Sequence, residues 1–303
     1  MLNKTINFMR WRKPFYVIAL VFCIASVVSL VVKGLNFSLD FTGGAQVELS
    51  YSEPVDLGSI RQTLQGVGWG DAIVQNFGST SDVIIRLASE DPDVGNQIAE
   101  LMRAENADQQ VTVKRVEFIG PQVGEELRDQ GGMGLLLALG GILLYVAMRF
   151  QLKFSSAAVV ALLHDAIFTL GILSFFGVPF DLTVLAALLA GVGYSLNDTI
   201  VVFDRVRENL RLMRNADLAE VINVSTTQTL ARTLATSFST ILVLLSLLLV
   251  GGESLQGFAI TLVVGVIIGT YSSIYVANGL LMTQNLTRED LIPKQLEEVD
   301  DRP

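Results

Sequence analysis

The sequence predicts a polytopic α-helical membrane protein with six transmembrane helices and one α+β domain between the first two. Three observations predict it. Of the 303 residues 51% are hydrophobic, and most gather in six separate runs near the ~20 residues a membrane-crossing helix needs. Residues 34–130 contain no such run and instead alternate between strand and helix spacings. Lysines and arginines sort into every second loop, the charge asymmetry of a multi-pass chain.

Residues 1–14 carry Lys4, Arg10, Arg12 and Lys13 and no acid, and Phe15–Val32 is apolar apart from Cys23, Ser26 and Ser29. No small-x-small cleavage site follows Val32, so residues 1–33 read as a cytoplasmic N-terminus and an uncleaved first helix. The next stretch, 34–130, offers strands at 46–51, 72–77, 83–88 and 111–118 and helices at 57–67 and 94–104. Pro54, Gly70, Gly78 to Ser81 and Pro92 punctuate them. The order β-α-β-β-α-β is that of a ferredoxin-like sandwich. A polar helix at 121–129 leads into the second span.

Five apolar segments follow, at 132–149, 155–176, 182–203, 229–250 and 257–280. Arg149 and Lys153 lie after span two, and Arg205, Arg207, Arg211 and Arg214 after span four, whereas the loops 177–181 and 251–256 have no Lys or Arg. Both termini are therefore expected in the cytoplasm and 34–130 outside. Residues 131–287 form a five-helix bundle with a cytoplasmic loop at 204–228, in which 216–224 reads as a short amphipathic helix. The tail 288–303 is cytoplasmic, mixed in charge and expected to be disordered.

Charge and motif content exclude several function classes. The net charge is −9, and Gly34 to Gly131 holds 16 acidic against 6 basic residues, which argues against a nucleic-acid or anionic-lipid surface there. Cys23 is the only cysteine, so no internal disulfide forms. Gly43-Gly44 lacks the Gly-Lys-Ser/Thr ending of a phosphate loop, no Cys/His cluster offers a metal site, and the one histidine lies in a span. An enzyme, a cofactor and a metal are not expected.

The chemistry-bearing residues lie inside the spans. Gly191, Tyr194, Ser195 and Asp198 fall at i, i+3, i+4 and i+7 in span four, one small and polar helix face, with Leu188, Leu196 and Ile200 pointing elsewhere. An intramembrane carboxylate costs about 2.5–3.5 kcal/mol on insertion scales and needs a partner, water or a proton. It serves either helix packing or function. Asp165, with His164 beside it, lies near mid-membrane in span three. Thr229, Arg232, Thr233, Thr236 and Thr240 share a spacing in span five, where Arg232 is either a snorkelling end residue or a charge partner inside the bundle. His164, Asp165, Asp198 and Arg232 thus occupy neighbouring depths on three helices. Small residues, among them Gly265, Gly269, Ser272 and Ser273 in span six, mark close helix contacts.

Two stretches carry a resemblance. Leu39-Asp40-Phe41-Thr42-Gly43-Gly44 is similar to the Asp-Phe-x-Gly-Gly signature of the SecD/SecF family of the RND superfamily. Gly193-Tyr194-Ser195-Leu196-Asn197-Asp198-Thr199-Ile200, continuing to Phe203-Asp204-Arg205-Val206-Arg207-Glu208-Asn209, resembles the span-four motif of its SecF branch. His164-Asp165 and Thr226 to Thr233 match as well, with Ala231 standing where some relatives have a polar residue. The resemblance implies an RND-type subunit of the bacterial cytoplasmic membrane, with 34–130 in the periplasm. It implies SecD, the SecYEG channel and YajC as partners and exported unfolded polypeptide as cargo, driven by the proton motive force after the ATP-dependent step. By position, Asp198 and Arg232 correspond to the family's charged pair in proton conduction. Tyr194, Ser195, Asn197 and Thr233 are expected along the same pathway, and Asp165 with His164 is either a second station on it or a purely structural pair. Asp40, Gly43 and Gly44 are the family motif of the external domain. Two rival readings stand beside it: a structural scaffold whose buried charges serve assembly, and half of an RND-type small-molecule exporter.

Overall fold

The computed structural model describes residues 5–77, 79–105 and 110–291. Among the described residues, six helical stretches are long and apolar enough to cross a membrane: Phe8–Val32, Pro121–Arg149, Leu152–Phe176, Leu182–Leu212, Leu218–Val250 and Ser254–Thr283. The chain divides into two compact units. One comprises Asn36–Leu136 with Pro179–Leu185, and the other holds the remaining described residues.

The first unit is built on four antiparallel strands, β2 (Gly44–Ser50), β3 (Ile73–Phe77), β4 (Ser79–Leu87) and β5 (Thr112–Ile119). Their order, β3-β4-β2-β5, has the last strand beside the first and β4 beside β2, as a split β-α-β chain order requires. Alternation puts Ala45, Val47 and Leu49 of β2 with Val83, Ile85 and Leu87 of β4 on one buried face. Ile60 and Leu64 of helix α3 (Leu57–Gly66), and Ile98 and Met102 of α4 (Val94–Glu105), lie at i, i+4 and pack in the same core. Asp56 caps α3 by accepting from Gly58 N at 3.0 Å. Ser79 to Ser81, expected to break the chain, belong to β4. Two-residue strands β1 (Asn36–Phe37) and β6 (Pro179–Phe180) pair in parallel, and a short helix α2 (Leu39–Thr42) follows β1. Residues 179–185, expected as a plain loop and the start of span four, therefore belong to this unit.

In the helical unit, α1 (Arg12–Val32) packs on α6 (Leu152–Phe176) where a Cβ on Gly171 would run into Ser26. Ser29 and Ser174 hydroxyls bond at 3.0 Å, and Ser174 Oγ also donates to the Gly34 carbonyl at 2.7 Å. Helix α5 (Pro121–Arg149) fuses the expected polar helix and span two, since Pro121 sits at the start, where its missing N–H costs nothing. Phe150, Phe154 and Phe203 form an aromatic corner, the closest pair with ring centroids 5.3 Å apart.

Residues 204–228, expected as a loop, are helical except for 213–217. Helix α7 (Leu182–Leu212) runs on through its charged end, where Arg149 meets Asp204 at 2.6 Å and Arg205 meets Glu208 at 2.8 Å. The separate amphipathic helix and span five are one helix, α8 (Leu218–Val250). Its polar run stays helical because Ser225, Thr227 and Thr229 hydroxyls bond back to carbonyls four residues earlier at 2.7–3.0 Å. Asp217 caps it, accepting from Glu220 N at 2.7 Å. Span six is α9 (Glu253–Ser272), a π-helical turn at Ser273–Ala277 and α10 (Asn278–Thr283). Of the expected tail, residues 292–303 lie outside the described residues. Apolar side chains such as Leu20, Phe22, Leu137, Phe238 and Val243 point outward, as lipid-facing surfaces do.

Candidate functional site

The site begins with how closely α7 and α9 approach. A Cβ on Gly265 would lie 3.4 Å from Gly191 Cα, and one on Gly269 would lie 2.7 Å from Ser195 Cβ. Two small-x-x-x-small pairs, one on each helix, therefore face each other and let the backbones touch.

That contact assembles a polar junction around Asp165, which is 3% exposed. Its Oδ2 accepts from Ser195 Oγ of α7 at 2.5 Å and from Ser272 Oγ of α9 at 2.6 Å. Its Oδ1 accepts from His164 Nδ1 at 2.9 Å. Three helices thus converge on one carboxylate whose two oxygens are both occupied, while His164 Nε2 has no protein partner. A second chain of hydroxyls runs from Tyr194 OH to Ser237 Oγ at 3.4 Å, with Thr270 Oγ1 2.8 Å from Ser237, linking α7, α8 and α9.

Asp198 is equally buried, at 3% exposure, but differently served. Its Oδ2 finds no hydrogen-bond partner, and neither does the buried hydroxyl of Thr199 beside it. Arg232 is exposed on the outer side of α8, and among the described residues no ion pair joins it to Asp198. It lines an open cleft of about 480 Å³ with Asn197, Asp204, Glu208 and Gln228. The polar stripe read from span five is split: Thr229 and Thr233 are buried, while Arg232 and Thr236 face out. Leu188 and Leu196, expected to point away from the polar face, are buried in the helical unit as well. The sequence thus brings Asp165, His164 and Ser195 together as neighbours but does not bring Asp198 into contact with Arg232.

The motif at 40–44 is structural in its geometry. Gly43 (φ +65°) and Gly44 (φ +101°) hold the left-handed region. A Cβ on Gly43 would lie 3.0 Å from Pro121 Cα, and one on Gly44 would strike the Leu87 carbonyl. Asp40 Oδ2 accepts from Leu182 N at 2.9 Å, at the first turn of α7.

Several site residues had no strong signal in the sequence. Ser272 read as a packing residue and is a hydrogen-bond donor to Asp165. Asn278 is fully buried and its Nδ2 donates to the carbonyls of Ser273 and Ile274 in the π turn and to Thr226 Oγ1 at 3.3 Å. Buried Asn209 ties α7 to α8 through Ser225 Oγ at 2.8 Å and Gln228 Oε1 at 2.9 Å. Among the described residues no three His, Cys, Asp or Glu side chains gather as metal ligands would.

A family model described as "Protein export membrane protein SecD/SecF, C-terminal" matches residues 99–286, and one for the SecD/SecF GG motif matches 28–55. The chain is 58% identical to the protein translocase subunit SecF of Pseudomonas aeruginosa over 300 residues, which cover 99% of this chain and 98% of that one. It is 43% identical to SecF of Escherichia coli O157:H7, over 97% of this chain and 93% of the relative. Among solved structures it is similar to SecDF of Thermus thermophilus, described as a translocon-associated membrane protein. The TM-score is 0.85 at 36% identity, with 94% of this chain covered but 39% of that one. A SecDF structure in a "Super-membrane-facing form" gives a TM-score of 0.69 at 37% identity, with the same coverage. The chain therefore spans about two fifths of the length of those SecDF chains.

Proposed function

Because the chain belongs to the SecD/SecF family of protein-export membrane proteins, we propose that it is a proton-coupled subunit of the bacterial Sec export machinery. It works with SecD at the SecYEG channel, with YajC as a further partner, and moves unfolded exported chains outward after the ATP-dependent step. In this reading it sits in the cytoplasmic membrane with both termini inside and residues 34–130 in the periplasm, as the lysine and arginine distribution favours.

The observation that carries the proposal is Asp198: a carboxylate buried in a membrane helix with an oxygen that no protein group satisfies. Such a group is costly to keep for packing alone and marks proton relays in membrane proteins. Its oxygen can take a proton without breaking a hydrogen bond. An approaching guanidinium favours the charged carboxylate and a receding one favours the protonated acid. Arg232, at the cleft it shares with Asn197, is the cation placed to make that change. Tyr194, Ser195, Thr229 and Thr233 supply hydroxyls along the path. Each charge that crosses releases about 2.3 kcal/mol per 100 mV of membrane potential, which is the work available to the exported chain.

The scaffold reading has a specific observation in its favour at one place. Asp165 is fully hydrogen-bonded by Ser195, Ser272 and His164, so it and His164 hold three helices together.

Vesicles containing the purified SecD-containing complex and the channel test the proposal under an imposed proton gradient. Asp198→Asn and Arg232→Ala should each abolish gradient-driven export and proton uptake while leaving assembly with SecD intact, and Asp198→Glu should keep part of both. Normal export by Asp198→Asn would overturn the assignment.

A further inference from the structure

His164 is the chain's only histidine, and its side chain is buried in the helical unit at 8% exposure. Its two nitrogens are served differently. Nδ1 lies 2.9 Å from Asp165 Oδ1, whereas Nε2 is buried and has no protein partner. Asp165 Oδ2 takes the Ser195 and Ser272 hydroxyls at 2.5 and 2.6 Å, as an ionised carboxylate does. An ionised carboxylate only accepts, so the proton of the neutral ring sits on Nδ1 and Nε2 carries a bare lone pair.

The surroundings of the ring offer that lone pair no donor. Phe168, one turn on in α6, has its ring centroid 5.9 Å from that of His164, and Tyr271 of α9 lies at 6.5 Å. The Tyr271 hydroxyl donates elsewhere, to the Phe15 carbonyl of α1 at 2.6 Å. Further rings close the shell: Phe22 packs on Phe168 at 5.2 Å, and Phe15 on Tyr271 at 5.8 Å. Beside these two phenylalanines α1 carries Tyr16 and Cys23, the π turn carries Tyr275, and α7 carries Asp198 one turn past Ser195. Among the described residues Asp165 alone of these titratable groups hydrogen-bonds the ring. An aromatic shell is a poor host for an unpaired acceptor, but rings within about 6 Å attract a cation. A carboxylate on one side and aromatic rings on the other suit an imidazolium. Phenylalanine would fill the same space without an orphaned nitrogen, so packing alone does not account for a histidine here.

We propose that His164 Nε2 is a proton-binding site separate from Asp198, with Asp165 as its permanent counter-ion. The proton adds to the Nε2 lone pair, no bond breaks, and the imidazolium keeps its Nδ1–H on Asp165. That hydrogen bond then joins two opposite charges and strengthens. A proton on Nε2 also leaves the Ser195 and Ser272 bonds in place, so the junction of α6, α7 and α9 holds while the site is loaded. The site lies on a different helix from Asp198 and needs nothing from the reading of that residue.

The single histidine makes the test direct. The purified chain, carrying no added histidines, is labelled with heavy-nitrogen histidine and placed in lipid vesicles, where the imidazole nitrogen resonances come from His164 alone. At about pH 8, Nδ1 should carry the proton and Nε2 should appear as a pyridine-type nitrogen. On acidification to about pH 5, Nε2 should become a second N–H while Nδ1–H stays and moves to lower field as its bond strengthens. The wild-type chain carries this test, so no variant has to fold for it to be decided. In Asp165→Asn, whose amide brings no charge, the low-field movement should shrink, and an equal movement would overturn the part given to the carboxylate. A ring proton on Nε2 in place of Nδ1 at the alkaline end overturns the proposal. So does a pyridine-type Nε2 that persists to the acid end, or loss of the Nδ1–H signal as the second proton binds. Asp198→Asn should leave the His164 resonances and their titration unchanged. Normal export by that variant would sink the Asp198 reading alone, while failure of the His164 titration would sink this one alone.

Discussion

Gly269→Ala tests whether helix contact is what delivers Ser195 to Asp165. The new Cβ would sit 2.7 Å from Ser195 Cβ and 3.0 Å from its Cα and Oγ. Carbon atoms rest at about 3.5–4.0 Å, so α7 and α9 must part by about 1 Å. The Ser195 Oγ to Asp165 Oδ2 hydrogen bond is 2.5 Å long, and the same displacement takes it beyond the range in which hydroxyl bonds hold. Overpacking costs about 1–3 kcal/mol and a hydrogen bond to a charged group about 1.5–3 kcal/mol, so the substitution should cost about 2.5–6 kcal/mol. Ser195→Gly removes both the obstructing Cβ and the hydroxyl. The double variant should therefore be about as stable as Ser195→Gly alone, and the cycle should show a coupling of about 1–3 kcal/mol. Reversible unfolding of the purified chain in mixed micelles with rising dodecyl sulfate measures all four corners. A wild-type midpoint for Gly269→Ala, or strict additivity in the double variant, would refute the argument that these two residues set the helix spacing.

Three further outcomes are expected. Asp165→Asn keeps one oxygen for the two serine hydroxyls and should hold most of the export activity, whereas Asp165→Ala takes the acceptor from the buried Ser195 hydroxyl and leaves Ser272 only the Gly269 carbonyl at 3.2 Å, and should cost about 1–3 kcal/mol in the same unfolding assay. Asp82 is held at about 2, first by the Ser50 hydroxyl and then by Lys114, 2.9 Å away, and Ser79. Because its folded value lies below the unfolded one, its contribution is complete above about pH 4 and is lost as the pH falls from there through about 2. Trp69 fluorescence in a Trp11→Phe background should show that acid-sensitive loss of stability, and Asp82→Asn should flatten it. Single cysteines at Asp91 and Ser254 should label from the external side and one at Asn215 from the cytoplasmic side; the reverse at Asn215 would contradict the six-span topology.

Long periodic segments were legible because burial imposes a period on them. The six spans and the β-α-β-β-α-β order follow from runs and alternations that only a few structures satisfy. The joint at 179–185 was not legible, since strands of two residues carry no period and Pro179 and Phe180 show no sign of which strand they will meet. Arg86 sits on the face of β4 opposite the apolar positions and is nonetheless 6% exposed, held by Gln46 and Asn36. The polar run 225–229 suggested a break between two helices, but hydroxyls that bond back to their own turn let it continue. In the site, Asp165, Ser195 and the small residues were each visible, while their meeting was not. Which residue of α7 faces Asp165 depends on where α7 crosses α9, and that crossing is set by Gly191 against Gly265.

The two buried carboxylates illustrate why depth and charge alone do not assign a role. Protonating Asp165 would remove the negative charge that strengthens its bonds from Ser195, Ser272 and His164, and so weaken contacts that join helices. Loading a proton there would loosen the bundle with every cycle. Asp198 has an oxygen with no protein donor, so a proton can arrive and leave while the contacts of α7 persist. In the proposed function, then, Asp165, held by three donors, is the fixed frame and Asp198 the exchangeable charge. Ser195, which donates to Asp165, lies three positions, less than one helical turn, before Asp198, so the two carboxylates are linked through a single stretch of α7.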